Sequence, residues 1–230
     1  IDDAASRSGG AAAEHTIQFP PAVYAAWHPE QARWALGLGL DAPTWRLMDW
    51  ENALFPARFT ARRSEATLFA LHPVAAWALD ERWSVGGGLR YVRGTVGYGD
   101  TIRAFEPGTS GLVDFEVDRV SEATADGIGF DVATHFVAVR WGFGATWSSQ
   151  VEVSGSGEIS YLVRDFAALP PEIQAAATAR FAAQPSRLSE ELPETLTAGA
   201  WVAVSPSVRV ELDAALARWS AISPASEQPG

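Results

Sequence analysis

Alternation with a period of two, repeated segment after segment, constrains this chain more than any other feature. Trp34, Leu36, Leu38 and Leu40 share one face of a strand, with Ala35, Gly37 and Gly39 on the other. From Trp141 to Val153, the residues Trp141, Phe143, Ala145, Trp147, Val151 and Val153 alternate with Gly142, Gly144, Thr146, Ser148, Gln150 and Glu152. Ile128, Phe130, Val132 and Phe136 alternate with Gly129, Asp131, Ala133 and His135. In the same way Val208, Val210, Leu212, Ala214 and Leu216 alternate with Arg209, Glu211, Asp213 and Ala215. Helical spacing would scatter these residues around a cylinder, so the pattern predicts strands. Alternation alone also fits a soluble β-sandwich with bulky residues in its core.

Connection lengths separate the two possibilities. Short turns are expected at 28–33, 80–82, 137–140 and 205–207, and they alternate with long loops at 41–62, 102–124 and 164–191. Short turns at one end and long loops at the other are the layout of an outer-membrane barrel. Trp27 and Trp34 flank one short turn, Trp77 and Trp83 the next, and Trp141 follows the third. Such residues form an aromatic belt at a membrane–water boundary. The chain has no apolar run of 18 residues, but barrel strands need only about 9–11 residues to cross.

Composition agrees and removes other classes. There is no Cys, so no disulfide framework, thiol nucleophile or Cys-based metal site is possible. All 17 basic residues are Arg, and the net charge of −11 argues against nucleic acid as a partner. The four His residues show no metal-ligand spacing, and neither a metal nor a cofactor is expected. His135 and Asp131 share a face but lie roughly 13 Å apart along the strand, too far for a dyad. No enzymatic activity is expected. Gly86-Gly87-Gly88 lies within a strand rather than before a helix, so it is not a phosphate loop.

The reading is an all-β, antiparallel transmembrane β-barrel of about eight strands, near 17–27, 34–41, 62–79, 83–101, 125–137, 140–162, 192–204 and 208–220. Residues 1–16 are expected as a loop remnant or disordered, 17–222 as the partial barrel, and 223–230 as a polar tail or the start of an extracellular loop. No signal peptide is visible at the start of the chain. Pro170-Pro171-Glu172 reads as a helix start, followed by Ile173, Ala177 and Phe181 at a spacing of four, so a short helix is expected in the last long loop. Pro73 inside a strand marks a bulge, a wall opening or a tolerated defect. The barrel reading requires Leu36, Phe143 and Leu212 to face hydrocarbon instead of sharing a dry interior.

Four stretches resemble one family, in order and over about residues 17–222. They are Trp34–Pro43 with Asp49-Trp50, His72–Tyr91 with its "LDERWS" turn, Leu192–Trp201, and Ala217–Ser220. They are similar to the long-chain fatty acid outer-membrane transporters, the FadL/TodX group. The resemblance implies a fourteen-stranded barrel of which this segment supplies the second to ninth strands. A hatch with an Asn-Pro-Ala motif would precede residue 1. It further implies a bacterial outer-membrane location and passive uptake of long-chain fatty acids or aromatic hydrocarbons, with a sideways exit through the wall. The alternative is a structural or adhesive barrel without transport. A monomer in contact with outer-membrane lipid and lipopolysaccharide is expected.

Candidate ligand contacts follow from chemistry. Arg90, Asp131, His135, Glu152, Arg209, Glu211 and Asp213 are expected to point inward. Arg90 or Arg209 could pair with a carboxylate head group, or join an internal Arg–acid network. Phe105, Leu112 and Phe115 in the second long loop, with Ile173 and Phe181 in the third, are candidate greasy contacts or loop-packing residues.

Overall fold

A computed structural model describes residues 19–50, 58–109, 111–219 and 226–229. Eleven strand segments form one antiparallel sheet: Ala22–Trp27 (β1), Trp34–Asp49 (β2), Arg63–Ala78 (β3), Trp83–Gly108 (β4), Gly111–Val137 (β5), Trp141–Ser148 (β6), Val151–Val163 (β7), Gln184–Leu192 (β8), Thr195–Ser205 (β9), Val208–Ala217 (β10) and Ser226–Pro229 (β11). Three pairs are consecutive pieces of one pass, β6 with β7, β8 with β9, and β10 with β11, so the chain makes the expected eight passes. Among the described residues one α-helix, Pro171–Arg180 (α1), starts at the predicted Pro pair, after a 3-10 turn at Phe166–Ala168.

The order β1-β2-β3-β4-β5-β6-β9-β10 runs across the end nearest the short turns. At the other end the outer half of β5 pairs with β7, β7 with β8, and β8 with β11. Among the described residues β1 and β10 have one neighbour each. Residues 223–230, expected as a polar tail or loop start, therefore include a strand paired to β8. Residues 1–16, expected as a loop remnant, lie outside the described residues.

The expected long loop at 102–124 is not a loop. β4 runs 26 residues and β5 27, and they pair continuously from Trp83↔Phe136 to Gly108↔Gly111. Polar residues in this stretch (Arg103, Asp114, Glu116, Asp118) broke the apolar alternation, although two such strands satisfy each other's backbone whatever their side chains. At about 3.3 Å per residue β4 is roughly 85 Å long, far more than a membrane needs. Likewise β2 continues to Asp49, and the expected loop at 164–191 holds α1 and β8.

The sheet curls, and one contact shows which face is inside. Arg46 on β2 and Glu190 on β8 are separated by four strands in the sheet, yet Arg46 Nη2 lies 3.1 Å from Glu190 Oε1. Their shared face is therefore concave. Period-two geometry and the cross-strand register then assign every strand.

On the convex face the outward residues of the lower half are apolar. Leu36 is 47% exposed and Leu212 77% exposed, while Phe143 lies against Trp83 and Trp141 on that same outer face. These three residues do not share a dry interior. Trp27–Trp34, Trp83–Phe136 and Phe136–Trp141 form an aromatic belt at the short turns, with ring centroids 5.3, 4.8 and 4.9 Å apart. A second aromatic level follows at Trp45–Phe69 (6.0 Å) and Phe130–Trp147 (5.3 Å). From Trp83 to Tyr91, β4 climbs eight residues, roughly 27 Å at about 3.4 Å each. An outer-membrane apolar band is about 25 Å tall, and the next outward residues above Tyr91 and Ile128 are Arg93 and Asp126.

Above that band, faces switch. β2 bulges between Asp41↔Ala70 and Thr44↔Leu68, and β6 breaks from β7 at Ser149-Gln150, β8 from β9 at Pro193-Glu194. Trp147 points outward, but Val151 and Val153 point inward and are fully buried, so Glu152, expected inward, points outward. The sequence alternation is continuous in parity through 141–153 only because Ser149 and Gln150 flip the strand without changing the count. Gly129 permits the break: a Cβ there would collide with Val151. Pro73 makes no bulge. Pairing with β4 lapses between Leu71↔Tyr91 and Val74↔Gly88 and resumes in the same register, as a missing N–H dictates.

Candidate functional site

The inward face carries polar groups at three heights. Nearest the short turns, Arg209 Nε lies 2.5 Å from a Glu211 carboxylate oxygen, and its guanidinium sits 4.4 Å over the Trp201 ring. With His135 and Asp213 they line a recess of about 230 Å³. At mid-band, His72 Nε2 is 2.6 Å from Asp131 Oδ2, reaching from β3 to β5 across β4. Gly88 lies between them, and a Cβ at that position would stand 3.0 Å from His72 Nε2. Beside this pair, Arg90 Nη2 donates to the Ser149 carbonyl at 2.9 Å, and Ser149 Oγ accepts from the Phe130 amide at 3.0 Å. Arg90 thus anchors the strand break.

Above the band, Glu190 receives both Arg46 and the Tyr98 hydroxyl, the latter at 2.9 Å. At and below that level Leu68, Val92, Val96, Val151 and Val153 pack on the concave face without solvent exposure. Higher still, Arg119 makes a bidentate pair with Asp100 (2.9 and 2.8 Å).

The candidate greasy contacts separate into two groups. Phe115, Ile173 and Phe181 come together under α1 with Ala104, Val117 and Ala177, and the Phe115 and Phe181 rings meet edge-on at 6.2 Å. Phe115 and Ile173 are buried, so here the structure has packed the residues into a small core. Phe105 and Leu112 lie on the opposite, outward face of the β4–β5 hairpin and are exposed. They sit on strand ends, not in the loop expected for them. The helix is tied to the hairpin tip by Thr109 Oγ1 donating to Glu172 (2.9 Å) and by an Arg180–Glu106 contact.

Below the tip, the outward face of the hairpin carries a charged clasp. Arg58 and Arg164 engage Glu116, and Arg62 and Arg164 engage Asp118, which also accepts from Thr101. This clasp lies far beyond the apolar band. The Arg58 hydrogen bond, with its charge, holds Glu116 below the usual carboxylate range. Burial pushes Asp118 upward, but Arg164, Thr101 and Arg62 together outweigh burial and leave it lowered.

Neither His72–Asp131 nor Arg46–Glu190 was legible in the sequence, since both depend on register and curl across several strands. Comparison with known families resolves the class: residues 5–225 match the model described as outer membrane protein transport protein (OMPP1/FadL/TodX). The chain belongs to the OMPP1/FadL/TodX family. Members of this family are outer-membrane transport proteins, consistent with the apolar band and polar concavity described above. A sequence search of curated proteins finds no match. Solved structures share the fold. A Pseudomonas aeruginosa FadL homologue superposes with a TM-score of 0.77 at 12% identity, covering 91% of this chain and 51% of that one. The Ralstonia pickettii toluene transporter TbuX gives 0.60 at 16% identity, covering 86% and 55%. The P. putida toluene transporter TodX gives 0.59 at 12%, covering 90% and 56%. The OMPP1/FadL/TodX chain described here thus spans about half the length of these structures.

Proposed function

We propose that this chain forms part of the wall of a monomeric outer-membrane channel for passive uptake of hydrophobic molecules, such as long-chain fatty acids or aromatic hydrocarbons. The supporting observation is the opposition of faces: an apolar convex band of membrane height backs a concave face lined by paired polar groups. Toluene transporters among the structural neighbours point to the same substrate class. Phe105 and Leu112 offer an exposed apolar landing surface near the hairpin tip, on the face opposite the packed α1 cluster of Phe115, Ile173 and Phe181. Arg90 and Arg209 act as wall-filling partners of Ser149, Glu211 and Trp201. The outward ring that begins at Arg93 and Asp126 meets the headgroups of lipopolysaccharide.

The test is uptake by a strain lacking its own transporter and expressing the complete protein. Rescue on long-chain fatty acids or aromatic hydrocarbons is expected, and no rescue across several chain lengths and aromatics refutes the proposal. The solidly filled upper interior at Leu68, Val92 and Val153 favours a second reading, a structural barrel without transport. That reading requires no uptake and no lipid co-purifying with the barrel.

A further inference from the structure

Just above the apolar band, the convex face carries two guanidiniums that bind nothing in the protein. We infer that this pair docks a disaccharide with a phosphate at each end, the headgroup of lipopolysaccharide. The inference rests on the outer-membrane reading and gives its lipid contact a site. Among the described residues above the band, every other guanidinium lies against a carboxylate. Arg93 on β4 and Arg187 on β8 are exposed and make no side-chain hydrogen bond or ion pair. The cross-strand register sets their spacing. Arg93 stands with Asp126 and Ser154 in the first outward row above the band, and Thr95, Thr124, Ser156 and Arg187 form the second row. Arg187 is therefore three strands across and one row up. At about 4.8 Å per strand and about 3.4 Å per residue, the two Cα atoms are roughly 16 Å apart.

The chemistry between the two arginines suits a sugar. Among the described residues the hydroxyls of Thr95, Thr124, Ser154 and Ser156 have no partner, and each can both donate to and accept from a sugar hydroxyl. Asp126, beside Arg93 but not bonded to it, and Glu158, above Ser156, are acceptors for sugar hydroxyl and amide hydrogens. Guanidinium forks match phosphate oxygens, and two forks at this spacing match two phosphates held apart by a sugar pair. A phospholipid with one phosphate engages only one of them. Directly below, Leu89, Tyr91, Ile128 and Phe130 are exposed on the same face and offer an apolar surface to acyl chains. The site lies at the end away from the short turns, which is the external side of such barrels and hence the leaflet that holds lipopolysaccharide.

The test titrates the complete protein in detergent with lipid A bearing both phosphates and with the same lipid lacking one, and native mass spectrometry counts the bound lipid. The doubly phosphorylated form is expected to bind about tenfold more tightly, the scale of one charge-assisted contact. Equal affinities overturn the inference. In R93Q/R187Q the two affinities are expected to converge while the unfolding temperature stays unchanged. A preference that survives in this variant overturns the assignment to these arginines. R63Q removes a guanidinium higher on the same face that is already held by Glu65 and Glu122. It is expected to keep the preference, and an equal loss in R63Q overturns a two-point site in favour of net charge. Insertion into vesicles is scored in parallel. A complete protein that does not insert overturns the outer-membrane reading and this inference with it, whereas insertion with equal affinities overturns the inference alone.

Discussion

Among the described residues, fifteen buried apolar side chains lie on strands at or above the line of strand breaks and two more, Ile173 and Ala177, on α1, whereas the wall below that line buries none. The lower wall turns its large apolar groups outward: Leu36, Val132 and Leu212 are exposed on the convex face. The upper region does the reverse, placing Leu68, Val92, Val96, Val151 and Val153 inside and Ser154, Ser156 and Glu158 outside. One sheet therefore follows two solvation rules. Hydrocarbon surrounds the lower part, so apolar surface there gains nothing by turning inward. Water surrounds the upper part, which folds like a soluble barrel with an apolar interior. The bulge at Ala42-Pro43 and the breaks at Ser149-Gln150 and Pro193-Glu194 are where the strands exchange faces. A shift of one position flips every following side chain.

The largest contrast comes from truncating matched leucines. Leu68→Ala removes a fully buried side chain and is expected to cost about 2–5 kcal/mol through lost burial and the cavity left behind. Leu36→Ala, on the lipid face, is expected to cost less than about 1 kcal/mol because lipid fills the space. Urea unfolding of the complete protein in bilayers reads both, and equal costs would break the comparison.

Charge insertion gives the next effect. Val132→Arg lies at mid-band and is expected to cost about 2–4 kcal/mol, the usual penalty for a cation near the bilayer centre. Ser156→Arg, outward on β7, is expected to fall within about 0.5 kcal/mol, as surface changes do. The same unfolding measurement checks the pair. A costly Ser156→Arg would move the membrane boundary upward.

The charged clasp should respond to acid. Glu116 and Asp118 have folded pKa values below their unfolded ones. Their contribution is therefore present above the unfolded carboxylate values, near about 4, and is lost as pH falls through the lowered folded values. Asp118→Asn is expected to loosen the clasp by about 1.5–3 kcal/mol, the range for hydrogen bonds to a charged group. Tryptic cleavage after Arg58 and Arg62 should then rise at pH 7. Unchanged cleavage would show that the clasp does not hold that segment. Smallest of all, Arg209→Ala breaks an exposed pair and should change stability by less than about 1 kcal/mol.

The lower wall was legible in the sequence because lipid on one side and a polar bore on the other write a strict two-residue period into it. Its strands, turns and belt tryptophans were all readable for that reason. The upper region was legible in part. Pro170-Pro171 gave the helix start, but the 102–124 stretch read as a loop because its outward residues are charged, as befits strands standing in water. The face flip at Ser149-Gln150 leaves no local trace, so alternation alone puts Glu152 inward although it points outward. The greasy residues Phe115, Ile173 and Phe181 were recognisable as a group, although only the register of the hairpin reveals that Phe105 and Leu112 face away from them. Contacts such as His72–Asp131 span three strands and have no sequence signature.

The absence of cysteine allows the central claim to be tested directly. Spin labels on single cysteines replacing Val132, Ala133 and Ser156 in the reconstituted protein report collision with oxygen in lipid or with a water-soluble nickel chelate. Oxygen contact at 132, chelate contact at 133, and chelate contact at 156 are the expected results. Chelate at 132, or oxygen at both 132 and 156, would contradict a sheet that meets hydrocarbon only below its line of breaks.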